Sequence, residues 1–198
     1  MELNEDVENS QTPLSEEERE GLKLTFISSK KELNEFEQQN IEEAMLWLVR
    51  KSLSANNILS QKFICKLHER MFYNVWSWAG KFRTTDKNIG IHHKEINVAL
   101  KILCDDVLYW INHKIFEPEE IAIRFKHKLV SIHCFPNGNG RHSRLMADII
   151  IENIFKQQVF TWGIDLKESN QRIREAYIKS IRDADQNNYK PLLKFSRS

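Results

Sequence analysis

Apolar residues recur every three or four positions along most of this chain, and few glycines or prolines interrupt them. From Lys31 to Lys51, the residues Leu33, Phe36, Ile41, Ala44, Met45, Leu48 and Val49 fall near the helical period, which predicts a long amphipathic helix. Ser60 is a suitable N-cap for a second helix presenting Phe63, Ile64, Leu67 and Met71. Ile96, Ala99, Leu100, Leu103, Val107, Trp110 and Ile111 mark a third. Pro118 followed by Glu119 and Glu120 starts a fourth, because proline is tolerated in the first turn and acids complement its positive end. That helix carries Ile121, Phe125, Leu129 and Ile132. Further helices are predicted over 141–154, 167–184 and 189–195, and the capping pattern Ser15-Glu-Glu-Glu18 predicts a short one ending near Gly21. The expectation is an all-α fold of about seven or eight helices. Thr25–Ser28 and Val159–Trp162 read as short extended pieces. Residues 73–93, with Gly80 and Gly90, lack a helical period and read as an ordered loop or small hairpin.

A chain of 198 residues suits one domain with a substantial core. Its 41% apolar and 29% charged residues exclude collagen-like and disordered classes. A formal net charge of +1 gives no reason to expect nucleic acid or an acidic membrane as partner. Three cysteines, Cys65, Cys104 and Cys134, without a CxxC spacing, read as buried free thiols rather than a disulfide framework. No apolar run reaches membrane-spanning length, and the polar, acidic start is not a signal peptide, so a cytoplasmic location is expected.

The stretch His133-Cys-Phe-Pro-Asn-Gly-Asn-Gly-Arg-His-Ser-Arg144 stands out. It lies between two apolar helices, and its Gly- and Asn-rich turn feeds directly into a helix start. Such a start offers unpaired N–H groups and partial positive charge to anions. Gly138 and Gly140 permit positive φ and close approach to a ligand. Arg141 and Arg144, three apart, share a face and suit phosphate oxygens. Two arginines at a helix start oppose the dipole unless something anionic sits there. His133 is placed to take a proton near neutral pH. Together these residues point to phosphoryl or nucleotidyl transfer.

The segment resembles the Fic family signature, HxFx(D/E)GNGRxxR, at His133, Phe135, Gly138, Asn139, Gly140, Arg141 and Arg144. The strings Leu67-His-Glu-Arg-Met-Phe72 and Val75-Trp-Ser-Trp-Ala-Gly-Lys-Phe-Arg83 resemble the part that precedes the family's flap, and Tyr177 and residues 185–192 resemble its closing helices. Within the family the chain is similar to the small Fic proteins called mobile mystery protein B, through Glu18-Arg-Glu-Gly-Leu22, Glu32-Leu-Asn-Glu-Phe-Glu37 and Phe125-Lys-His-Lys-Leu-Val-Ser-Ile-His133. The resemblance implies a Fic domain over 30–198, after an N-terminal extension over 1–29 expected to be partly disordered and a candidate regulatory element. It implies His133 as general base for a Ser, Thr or Tyr hydroxyl, and Phe135 as a buried anchor. It also implies Gly138, Asn139 and Gly140 as an anion hole, with Arg141 and Arg144 on the outer phosphates. The implied reaction is AMP transfer from ATP with Mg2+. The loop after Arg83, with Thr85, Asn88, Ile89 and Gly90, would be a β-hairpin flap that aligns the target protein by strand addition.

The chain departs from the signature at Asn137, where the family carries an acidic magnesium ligand. An amide oxygen supplies no charge, so weaker magnesium binding is expected. The family's inhibitory pattern, (S/T)xxxE(G/N), whose glutamate pairs with the last motif arginine, here Arg144, has no strict match. Glu20, before Gly21, and Glu37 are the candidate acids, each with a solvent-facing position as the more ordinary reading. An antitoxin-like partner supplying such a helix is the alternative. The competing readings are a nucleotide-binding, toxin-like module of low activity and a phosphotransferase using another phosphate donor. A nucleic-acid-binding role fits the mixed charges poorly. His92 and His93 are adjacent, but with no further spaced ligand they are weak metal evidence.

Overall fold

The computed structural model describes residues 21–164, 166 and 169–198. These contain α1 (Lys30–Val49), α2 (Ala55–Ile58), α3 (Gln61–Phe72), α4 (Ile96–His113), α5 (Pro118–Ile132), α6 (Asn139–Asn153), α7 (Asn170–Asp185) and α8 (Lys190–Ser196), with a single 3-10 turn at His93–Glu95 ahead of α4. The helix predicted near Ser15 lies outside the described residues. No strand forms among the described residues: Thr25–Ser28 and Val159–Trp162 are irregular, and an isolated bridge pairs Leu22 with Trp76. Thr161 and Trp162 instead donate their N–H groups to the Ser196 carbonyl at 2.9 and 3.1 Å, tying that segment to the end of α8.

Local chemistry sets the helix ends. Ser29 and Glu32 form a reciprocal capping box that fixes where α1 begins. From that start, Leu33, Glu37, Asn40, Ile41 and Ala44 come round to one buried face. One of the five is an acid, and it matters below. Ser54 caps the four-residue α2, which the apolar period is too short to reveal, and the Ser60 hydroxyl accepts from Phe63 N–H at 3.2 Å to cap α3. α5 and α6 pack against each other at the centre, with α3 and α4 on either side and α7–α8 closing one end. Phe125, Leu129, Met146 and Ile150 are buried between them. Cys104 and Cys134 are buried, Cys65 is half-buried, and all three are free, as expected.

Candidate active site

The turn between α5 and α6 holds the signature segment. His133 ends α5 in the left-handed conformation (φ 54°, ψ 61°), which costs a non-glycine residue roughly 1–2 kcal/mol. Such strain persists only where the surroundings impose it. Phe135, as expected, is fully buried, and its backbone is gripped from both sides. The Asn139 Oδ1 accepts from Phe135 N–H at 3.0 Å, while Nδ2 donates to the Phe135 carbonyl at 2.8 Å. The Asn139 side chain thus braces the loop and leaves its backbone N–H to face a ligand.

Beneath the loop sits His68 on α3, which is fully buried. Its Nδ1 accepts from Gly80 N–H at 3.0 Å, so Nε2 carries the hydrogen and donates to the Asn137 carbonyl at 3.1 Å. The ring stacks on Phe135 at 3.7 Å. Burial, with His142 nearby, holds its pKa well below the ordinary histidine value. His142 donates to the Ile64 carbonyl at 3.0 Å, and burial pushes its pKa down to about 3. Two neutral imidazoles therefore clamp the loop to α3.

The two glycines differ. Gly138 has φ 76°, and a Cβ there would meet the Phe72 ring at 2.6 Å, so the turn demands glycine. Gly140 is already helical and lacks the positive φ expected of it. A Cβ built on it meets nothing within 4 Å. Among the described residues the space beside Gly140 is thus open, and none of their side chains caps the start of α6, leaving its first N–H groups as donors.

Arg141 and Arg144 stand in the first turns of α6, with further charged groups packed around them. Arg141 pairs with Glu37 at 2.6 Å and lies over Phe72. Glu37 is 2% exposed and also accepts from the Trp76 indole. The solvent-facing reading of Glu37 therefore fails, and its partner is Arg141 rather than Arg144. Glu20 lies outside the described residues. Among those described, no carboxylate comes within ion-pair distance of Arg144, whose guanidinium stands 5.9 Å from the Tyr177 ring centre. Lys126 is wholly buried; its Nζ donates to the Tyr177 hydroxyl. Burial, helped by Arg144, drives its pKa well below the usual lysine value. Asp148, one turn beyond Arg144, is turned away to Trp162 Nε1 at 3.1 Å, and burial pushes its pKa up to about 7.

Magnesium fits this donor set poorly. Asn137 is exposed, but its Oδ1 accepts from Gly138 N–H at 2.7 Å, so the amide oxygen closes the chain's own turn. Glu37 and Asp148 are engaged elsewhere. The described residues beside the loop offer no free charged oxygen.

His133 is half-buried, and burial, followed by the nearby Arg83, lowers its pKa; the Val130 backbone acts in the opposite sense. The imidazole is accordingly neutral at neutral pH and able to accept a proton. Facing it is the loop 84–92, which carries Thr85, Asn88, Ile89 and Gly90, all exposed. It forms bends, not the expected hairpin, because Arg83 takes up its backbone groups. From a buried position Arg83 donates Nε–H to the His133 carbonyl at 2.7 Å, NH1 to Thr85 O at 2.9 Å, and NH2 to Ile91 O. Gly90 (φ 94°) rests on His133, where a Cβ would lie 2.6 Å from the histidine Cβ. The loop and His133 are thus fastened to each other chiefly through Arg83.

Residues 58–151 match the Fic/DOC family. Over this stretch the chain resembles a Fic domain. Over 115 residues the chain is 30% identical to the protein adenylyltransferase Fic of Aedes aegypti, a match covering 56% of this chain and 23% of that protein. Over 95 residues it is 34% identical to the protein adenylyltransferase fic-1 of Caenorhabditis briggsae, covering 44% of this chain and 18% of the other. The chain thus spans about a quarter or less of the length of these relatives. The Fic domain of Bep8 from Bartonella sp. 1-1C superposes with a TM-score of 0.70 at 19% identity over 90% of each chain. An ADP-bound Fic domain of a cell filamentation protein from Bartonella quintana gives 0.65 at 17% identity, over 87% of this chain and 86% of that one. These likenesses establish the fold.

Sequence reasoning missed His68, Arg83 and Lys126. Arg83 and His68 sit in strings that resemble the family, but nothing in composition marks them as supports. Lys126 carried a readable signal: Ala122, Lys126 and Leu129 fall on the apolar face of α5, an uncommon place for a lysine. Glu37 was readable in the same way, on the stripe Leu33, Glu37, Ile41, Ala44.

Proposed function

We propose that this Fic domain transfers AMP from ATP to a Ser, Thr or Tyr hydroxyl of a target protein. The observation that carries the reading is a neutral His133 beside an open, uncapped helix start whose Arg144 has no acidic partner among the described residues. The triphosphate lies over Gly140, its oxygens on the first N–H groups of α6 and on Arg144, with the long axis of the helix favouring its charge. The target segment lies along residues 85–90. His133 takes the hydroxyl proton as the oxygen attacks the α-phosphorus. The bond to the β-bridging oxygen breaks, and pyrophosphate leaves. Among the described residues no carboxylate is free to hold magnesium here, so any such ion would be held by the nucleotide's own phosphates. Activity falls as the pH drops below the ordinary histidine range, where the base becomes protonated. The names of the relatives support the chemistry, and the open space above Gly140 supports the donor's position.

The Fic unit extends over 30–198 in this reading, with 1–29 as a regulatory extension. The sequence resemblance to mobile mystery protein B supports a cytoplasmic, toxin-like role restrained by an antitoxin-like partner. A second reading, a nucleotide-binding module with little turnover, is favoured by the Asn137 amide closing on Gly138 and by Glu37 already neutralising Arg141.

The deciding experiment incubates the protein with ATP, magnesium and a cell lysate and follows added mass on proteins, with His133→Ala as control. A mass increase equal to AMP, reduced about 10³-fold in the control, is expected. ATP binding by calorimetry without any adduct selects the second reading. Absence of both binding and adduct refutes both.

A further inference from the structure

The geometry points to a zinc site on the flap, made by Asp86, His92 and His93, that fastens the two arms of the loop together. The sequence offered only two adjacent histidines; the fold supplies a third ligand from seven residues away. The Asp86 Oδ1 lies 2.9 Å from His93 Nδ1, and its Oδ2 lies 3.4 Å from His92 Nε2. All three ligand atoms fall within 4.8 Å of one another. Ligands held tetrahedrally about 2.0–2.2 Å from a zinc ion stand roughly 3.3 Å apart, so side-chain rotations of about an ångström complete the set. Two imidazoles and one carboxylate are a common open site for zinc and the late first-row divalent ions, with solvent in the remaining position.

The surroundings prepare the ligands. The two histidine rings stack at 4.6 Å and 26°, so both edges are presented to the same side. Asp86 is aimed by the His93 backbone N–H at 2.8 Å and by Arg83 at 3.5 Å. Its carboxyl is held below the usual aspartate range, first by that backbone bond. The metal replaces the hydrogen each imidazole shares with Asp86. His92 must then carry its hydrogen on Nδ1, which gives up the weak 3.3 Å bond from Lys94 N–H. That exchange is favourable for zinc, whose bonds to nitrogen are far stronger than a long hydrogen bond.

The consequence is mechanical. Asp86 opens the loop and His92–His93 close it, with Asn88, Ile89 and Gly90 between them. A metal bridging the two arms fixes the segment that rests on His133. This site is independent of which group the protein transfers, because it is read by metal binding alone.

The test titrates the purified protein with cobalt(II), following visible absorption, and with zinc by calorimetry. One ion per chain with a micromolar dissociation constant is expected. Asp86→Asn and His93→Ala each weaken binding at least about 30-fold, while His133→Ala binds as the unaltered protein does. Melting curves of the three variants without metal, expected to lie near the parent's because Asp86 is exposed and His93 and His133 are only half-buried, separate ligand loss from misfolding. Lowering the pH from 7.5 to 5.5 releases the ion as the histidines take up protons. Binding that survives both Asp86→Asn and His93→Ala, binding lost in His133→Ala, or no binding at millimolar zinc overturns the proposal.

Discussion

Residues 133–144 and residues 84–93 meet where Gly90 rests on His133, yet the chain holds them by different means. The first segment is locked from inside: the Asn139 brace, the His68–Phe135 stack and the glycine-only turn at 138 each fix it separately. The second is exposed from 84 to 90 and is held chiefly by one side chain, Arg83, with the Ile91 N–H on the Ile132 carbonyl. The difference teaches how precision is distributed. The segment that would align phosphate must be placed within a fraction of an ångström, so its backbone is buried and doubly bonded. The segment that would meet a target keeps its peptide groups at the surface, with one main anchor setting its position. An exposed loop tied at few points can yield to different chains.

Four changes would test this contrast, the largest expected effect first. Asn139→Ala strips both bonds from the buried Phe135 peptide and should lower unfolding stability by about 3 kcal/mol, measured by urea denaturation. A loss under about 1 kcal/mol would mean the loop is not locked from inside. Acid should loosen the same segment. His68 and His142 are neutral in the fold and lower-than-ordinary in pKa, so the unfolded chain binds more protons below about pH 6.5 and stability falls as pH drops. Asp148, raised to about 7, acts in the opposite sense over part of that range. Two imidazoles outweigh one carboxyl, leaving a net loss of about 2 kcal/mol between pH 6.5 and 5 in thermal unfolding. Arg83→Met should release the flap alone, cutting transfer to a target about 30-fold while ATP affinity by calorimetry stays unchanged. A matching loss of ATP affinity would show that the two segments are one unit. Glu37→Gln frees Arg141 for the nucleotide and should tighten ATP binding about fivefold, at some cost in melting temperature. Weaker ATP binding instead would make the pair a support of the site.

The fold was readable because its helices are long and periodic. Ser60, Pro118 and the stripe from Leu33 to Ala44 announced their elements directly, and the segment 133–144 marked the candidate site. What escaped were long-range supports. Arg83 bonds carbonyls fifty residues away, and His68 reaches Asn137 across 69 positions; no local period encodes such partners. The flap was read as a hairpin because Gly80 and Gly90 bracket an aperiodic stretch. The buried guanidinium takes the carbonyls that a strand ladder would have used. Asp86 was overlooked as a ligand for the same reason: its closeness to His92 and His93 is created by the loop's folding back.

Gly140 separates what the fold requires from what a ligand requires. Its backbone is ordinary helix and a Cβ there would meet nothing within 4 Å, so the described residues do not demand glycine at this position. Gly140→Cys should therefore fold like the parent and offer a thiol at the mouth of the site. An environment-sensitive fluorophore on that thiol would turn the position into a reporter, dimming or brightening as the occupant comes and goes.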